Sequence, residues 1–243
     1  MRLGAVRGFA RYLHEVDPRA GVPAADLLPD RPRRAVPYLY TDSQILGLTR
    51  VASTLRTSHR AATFRTLFGL LVVTGMRIGE ALALDRSDFD ANVGALIIRH
   101  GKLGKSRALP LHPSTTNAVT RYLRRRDRPR PSGPTDALLL SGAGTRLLVG
   151  DVQTTFRRLR ARAGILPRSA ACRPRLHDIR HSFAVRTLLD AYRTDGDATP
   201  TVAALSTYLG HVDPGKTYWY LEAAPELMEL AGERLERHLG GGR

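Results

Sequence analysis

Four separated stretches of the chain carry side chains suited to breaking a phosphodiester: TGMRIGEAL (74–82), HGKLGKSRALPL (100–111), LHDIRHSFA (176–184) and YLGHVDPGKTYWYL (208–221). Without a metal, that reaction needs a nucleophile, cations for the charge gathering on the phosphorane oxygens, and a proton donor for the departing oxygen. Tyrosine hydroxyls, arginines, histidines and a lysine supply all three. Singly, each group has an ordinary structural explanation. Arg77 follows Gly75 at a junction of two helices, where a guanidinium can point into a groove. His177 and Arg180 stand i, i+3, so on a helix they share a face and can address one phosphate. His211 lies just past a helix stopped by Gly210, a common place for a capping histidine. Tyr218, Trp219 and Tyr220 alone would read as a core aromatic cluster.

Together, in this order and spacing, the four stretches resemble the tyrosine recombinase (phage integrase) family. Its signature is an arginine in a TGxRxxEL setting, a hairpin lysine, HxxR, LGH and a tyrosine shortly afterwards, and the likeness spans about residues 38–240. The resemblance matches the first arginine to Arg77, with Glu80 at the following acidic position, and HxxR to His177 and Arg180. It matches the third His/Trp position to His211. The family's tyrosine follows nine positions later, which selects Tyr220 over Tyr218. Lys102 fits the first lysine of a GKxxKxRxxPL pattern, Lys105 being the other candidate. What this implies is a site-specific recombinase that cleaves and rejoins DNA by transesterification through a 3′-phosphotyrosyl intermediate, with no cofactor and no metal. The expected catalytic set is Arg77, Lys102, His177, Arg180, His211 and Tyr220. The implied partners are double-stranded DNA and further copies of the chain, a tetramer on DNA joined through the C-terminal helix. A catalytically silent or truncated DNA-binding protein of the same fold, and a type IB topoisomerase, are the alternatives.

The elements that must hold these groups are mostly helical. Val6, Phe9, Ala10 and Leu13 give residues 3–15 one apolar face, and a Pro-rich basic stretch follows from Pro18 to Pro37. Residues 1–37 are therefore expected to be a helix and linker; the resemblance implies that they are the remnant of a DNA-clamping domain, with the catalytic domain occupying 38–243. From Thr41 or Ser43 a helix is predicted through Arg56, then one from about Arg60 to a stop at Gly75, and a short one near Ile78. Ala95–Arg99 and Ser106–Leu111, with Gly101 and Gly104 between, read as a hairpin. Later helices are predicted over 114–126, 151–163, 178–191, 201–209 and 225–239. In the last, Leu227, Ala231, Leu235 and Leu239 make one apolar stripe, widened by Met228. The expected fold is mainly α with a small antiparallel β-sheet, as in tyrosine recombinase catalytic domains.

Composition narrows the partners. The 243 residues carry a formal charge of +16, and a polyanion explains such an excess most simply. Only Lys102, Lys105 and Lys216 among the 38 basic residues are lysines. Arginine dominance fits two-pronged phosphate contacts, and equally a GC-rich genome. A lysine kept in the hairpin suits a group that must give up a proton, which arginine hardly does. The single Cys172 rules out an internal disulfide and a cysteine-based zinc site. No apolar run approaches the roughly 20 residues of a membrane span, and the start lacks a signal-peptide pattern. The chain is expected to work on DNA in a bacterial cytoplasm.

Overall fold

The computed structural model describes residues 2–24, 27, 36–99, 106–127, 135–195 and 199–210, together with 229, 232 and 236. The chain divides into two compact units, Met1–Ala35 and Val36–Arg243. In the first, α1 (Arg2–Val16) leaves Val6, Phe9, Tyr12 and Val16 exposed. Arg7 folds its guanidinium onto the carbonyls of Pro23 and Ala24, which ties the following segment to the helix.

The second unit is built around α3 (Ser58–Thr74). Ala61, Phe64, Leu67, Phe68, Leu70 and Leu71 are buried around much of its circumference, the pattern of a helix enclosed by others rather than lying on a surface. It packs against α2 (Asp42–Ala52), α5 (Pro113–Arg126) and α7 (Asp178–Asp195). Both ends are written in the sequence. Thr57 accepts from the Arg60 amide at the start, and Gly75 adopts φ 59° at the end, a left-handed conformation that a side chain would strain. Thr41 starts α2 through a reciprocal capping box with Gln44. That helix stops at Ala52, short of the predicted Arg56, because Ser53 and Thr54 turn their hydroxyls back onto the carbonyls of Thr49 and Val51.

After α4 (Ile78–Ala83) and a 3₁₀ turn at Arg86–Asp88 comes a three-stranded antiparallel sheet in the order β1 (Phe89–Asp90), β2 (Ala95–Ile98), β3 (Arg107–Pro110). The expected hairpin is β2 and β3, paired from Ala95 with Pro110 to Ile98 with Arg107. The two-residue β1 is additional and too short to show a period. Leu96, Ile98 and Leu109 face the main core. The later helices are α5, α6 (Val149–Arg162), α7 and α8 (Thr199–Leu209). The helix α7 continues past the predicted 191 to Asp195. The helix predicted over 225–239 lies outside the described residues, except that Glu229, Gly232 and Glu236 are helical and exposed. No helix of the described residues is long and apolar enough to cross a membrane.

A smaller apolar cluster matters most for function. Ala184, Val185 and Leu188 of α7 pack against Val202, Leu205 and Leu209 of α8. This contact delivers the C-terminal end of α8 to the region where α3 gives way to α4.

Candidate functional site

The last carbonyls of a helix lack an intrahelical partner, and α8 ends at Leu209. Three arginines from three different elements take them. Arg107 of β3 donates from Nε to the Tyr208 oxygen at 2.9 Å. Arg180 of α7 donates from Nη2 to the Leu209 oxygen at 2.8 Å. Arg77, between α3 and α4, donates from Nη2 to the Gly210 oxygen at 3.2 Å. Cations at this end also complement the negative pole of the helix dipole. Successive carbonyls are thus held by groups arriving from separate parts of the sequence.

Each arginine is itself oriented. Arg180 is only 2 % exposed and donates from Nη1 to the oxygen of Gly75, the residue that stops α3. Arg77 occupies the cap position of α4, its amide donating to Glu80 Oε2 at 2.9 Å and its Nη1 to Oε1 at 2.7 Å. Glu80 takes two further bonds from Arg107, at 3.2 and 2.8 Å. Burial acts to raise the Glu80 pKa, but the bonds from Arg107 and Arg77 outweigh it and hold the carboxyl below its ordinary value. One carboxylate is therefore shared by two of the three guanidinium groups, and the three arginines with Glu80 keep a positive balance. That is the electrostatic requirement for stabilising a phosphate gaining charge.

His177 immediately precedes α7, whose first residue, Asp178, secures the start of the helix. The Asp178 carboxylate is fully buried and accepts from the Arg175 amide, Nε and Nη2, the pairing that a buried charge requires. Ser182 secures the same turn, accepting from the Tyr40 amide and donating to the Asp178 carbonyl. The Tyr40 hydroxyl, kept protonated by burial, donates to the Arg175 oxygen. His177 itself is open to solvent at the rim. Partial desolvation, then the charges of Arg180, Arg175 and Arg77, lower its pKa, with Asp178 opposing them. An imidazole shifted this way is neutral near pH 7 and able to accept a proton. Its ring lies edge to face with that of His181, centroids 4.8 Å apart.

Of the expected residues, the structure brings Arg77, Arg180 and His177 into one region. Lys102, Lys105, His211 and Tyr220 lie outside the described residues. The chain order nevertheless puts His211 next to Gly210, whose carbonyl Arg77 holds. Arg107 belongs to this network and was missed as a site residue, although it is the arginine of the quoted hairpin pattern. Elsewhere the arginine excess is partly structural: Arg126 is buried against the Ala137 carbonyl, and Arg146 donates to the carbonyls of Leu82 and Leu84. Among the described residues, no three His, Cys, Asp or Glu side chains are grouped to hold a metal ion.

Comparison with known proteins gives a consistent picture. Residues 41–226 match the phage integrase family. A Sinorhizobium fredii protein described as an integrase/recombinase is 44% identical over 242 residues, which cover 97% of this chain and 77% of the relative. The tyrosine recombinase XerD of Mycobacterium tuberculosis is 32% identical over 225 residues, covering 89% of this chain and 66% of its own. Among solved structures, the Tn1549 transposon integrase in complex with transposon right end DNA superposes with a TM-score of 0.69 at 20% identity, over 97% of this chain and 77% of that one. The XerH site-specific recombinase bound to a palindromic difH substrate gives 0.67 at 21% identity, over 96% and 65%.

Proposed function

The chain belongs to the phage integrase family of tyrosine-type site-specific DNA recombinases, and from that footing we propose how its residues share the reaction. With family membership, a silent DNA-binding protein and a type IB topoisomerase give way to the recombinase reading. The Tyr220 hydroxyl attacks a backbone phosphate of double-stranded DNA. The new bond joins the tyrosine oxygen to phosphorus, and the bond to the 5′-oxygen breaks, leaving a 3′-phosphotyrosyl link. Arg77, Arg180 and His211 hold the non-bridging oxygens. Lys102 protonates the 5′-oxygen as it departs, and His177 accepts or relays the phenolic proton. A 5′-hydroxyl from a partner duplex then reverses the step. Bond energy is kept in the phosphotyrosine, so no nucleotide is consumed.

The observation that carries this reading is the convergence of Arg77 and Arg180 on successive carbonyls at the end of α8, the residue before His211. Two guanidinium groups fixed to the same backbone turn present a preorganised cationic site. Residues 1–37 serve as a basic DNA-clamping arm, and 38–243 as the catalytic part, acting on DNA in the bacterial cytoplasm. The stripe of Leu227, Ala231, Leu235 and Leu239 docks on a neighbouring copy and completes a tetramer on DNA.

A nicked suicide substrate carrying the element's end tests the proposal. The full chain should form a detergent-resistant covalent adduct, and the adduct should form in EDTA. Cleavage that depends on a divalent metal would contradict the mechanism. Removing residues 226–243 should leave a protein that binds a half-site but loses cooperative assembly. A deletion that unfolds the chain would place that helix in its own core.

A further inference from the structure

Arg107 stands at the root of the β2–β3 hairpin. It opens β3 and pairs with Ile98, the last residue of β2. The segment joining them carries Lys102 and Lys105, five and two positions before it. Strand alternation puts Arg107 on the same face as buried Leu109, turned toward the interior. An arginine there must spend its charge on a partner. All three guanidinium nitrogens are engaged: Nε with the Tyr208 oxygen, Nη1 and Nη2 with the two oxygens of Glu80. Its side chain keeps 16% exposure. Gly210 lies against the same group, at φ 66°, where an added Cβ would come within 3.2 Å of Nη1.

One planar side chain thus joins three elements: the hairpin, the last turn of α8, and, through Glu80, the start of α4 with Arg77. A ladder fixes the register of two strands but not the angle of their connecting segment to neighbouring helices. At this root two described side chains act: Arg99, next to the end of β2, donates to buried Asp88 of the 3₁₀ turn, and Arg107 alone reaches α8 and Glu80 among the described contacts.

We propose that Arg107 is a positioning residue for protonation of the leaving oxygen, locking the hairpin root to α8 and Glu80 so that a hairpin lysine reaches the departing 5′-oxygen. The inference rests on the hairpin-lysine reading above, and holds whichever of Lys102 and Lys105 is the donor. It does not concern the grip on the non-bridging oxygens.

Chemistry separates these two roles. When the tyrosine oxygen bonds to phosphorus and the P–O5′ bond breaks, the leaving oxygen must take a proton. If sulfur replaces that bridging oxygen, the group leaves as a stable thiolate and needs none. Single-turnover cleavage by the full-length chain is measured on both substrates for the wild type, Arg107→Lys and Arg107→Ala. Cleavage of the oxygen substrate should fall about 100-fold, the scale of a misplacement near 1 Å. On the sulfur substrate the loss should nearly vanish. Arg107→Lys should restore little, because one ammonium cannot bridge Tyr208 and both Glu80 oxygens. The ratio of the two rates within one preparation is insensitive to any unfolded fraction. Equal losses on both substrates, or no loss on either, would overturn the inference. Lys102→Ala and Lys105→Ala are run alongside. If sulfur rescues one of them but not the Arg107 variants, only the role of Arg107 falls. If it rescues neither lysine variant, the hairpin-lysine reading falls and takes this inference with it.

Discussion

Replacing Gly75 with alanine perturbs the fold and the site through one atom. At φ 59° the residue lies in the left-handed region, where an added Cβ costs about 1–2 kcal/mol. That Cβ would also sit 2.3 Å from Cδ1 and 2.8 Å from Cγ of Phe183, far inside contact distance. Forcing the ring aside is an overpacking event worth about 1–3 kcal/mol. Phe183 is stacked on Tyr208, centroids 5.8 Å apart, so the strain passes to the end of α8. The Gly75 carbonyl also accepts from Arg180, so the arginine loses its register as well. Gly75→Ala should therefore destabilise the chain by about 2–5 kcal/mol. At roughly 2–4 °C per kcal/mol for a chain of this size, the melting temperature should fall by about 4–20 °C. Thermal and urea unfolding followed by circular dichroism would measure it. A double-mutant cycle with Phe183→Leu isolates the steric part, expected as a coupling of about 1–3 kcal/mol. An unchanged midpoint, or zero coupling, would refute the assigned role of this glycine.

Arg180→Lys should slow cleavage by orders of magnitude with little change in DNA affinity, since one ammonium cannot reproduce a two-pronged grip; near-normal cleavage would make Arg180 purely structural. The same variant should lose about 1–3 kcal/mol of stability because the buried carbonyls of Gly75 and Leu209 lose a donor, readable by urea titration. Acidification should weaken the fold. The His177 pKa is depressed below 6.5, so the unfolded chain takes the proton first. Its contribution is fully present above that value and is lost as pH falls through the folded value. Unfolding midpoints between about pH 7.5 and 5.5 should show this, and His177→Gln should flatten the slope; an identical slope in the variant would exclude His177 as its source. DNA affinity should fall with salt at about 0.9 log units per decade for each phosphate contacted, and a salt-independent binding constant would contradict phosphate recognition.

Much of this was legible because local chemistry and global fold agree. Gly75 announced the end of α3, Thr41 the start of α2, and the alternation around Leu109 the hairpin. The HxxR spacing reads as one helix face, whereas His177 stands exposed just before α7 and Arg180 is buried within it. Other features were not legible, for physical reasons. The strand Phe89–Asp90 pairs with Leu96 and Ala95 but is too short to carry a period of two. The end of α2 was set by serine and threonine hydroxyls competing for the last carbonyls, a choice that apolar spacing does not encode. Arg107 looked like one more basic residue in an arginine-rich chain. Only its position on the core face, with Glu80 arriving from 27 residues away, reveals a fixed partner. Glu80 itself was visible as an acidic position, but its division between two arginines depends on tertiary structure.

The central claim is that one tyrosine carries the strand, and peptide mapping by mass spectrometry of the adduct trapped on a nicked suicide substrate tests it most directly. The account predicts the nucleotide on Tyr220, an adduct abolished in Tyr220→Phe with DNA binding retained, and an adduct that survives Tyr218→Phe. Nucleotide found on Tyr218, or an adduct that persists in Tyr220→Phe, would contradict it.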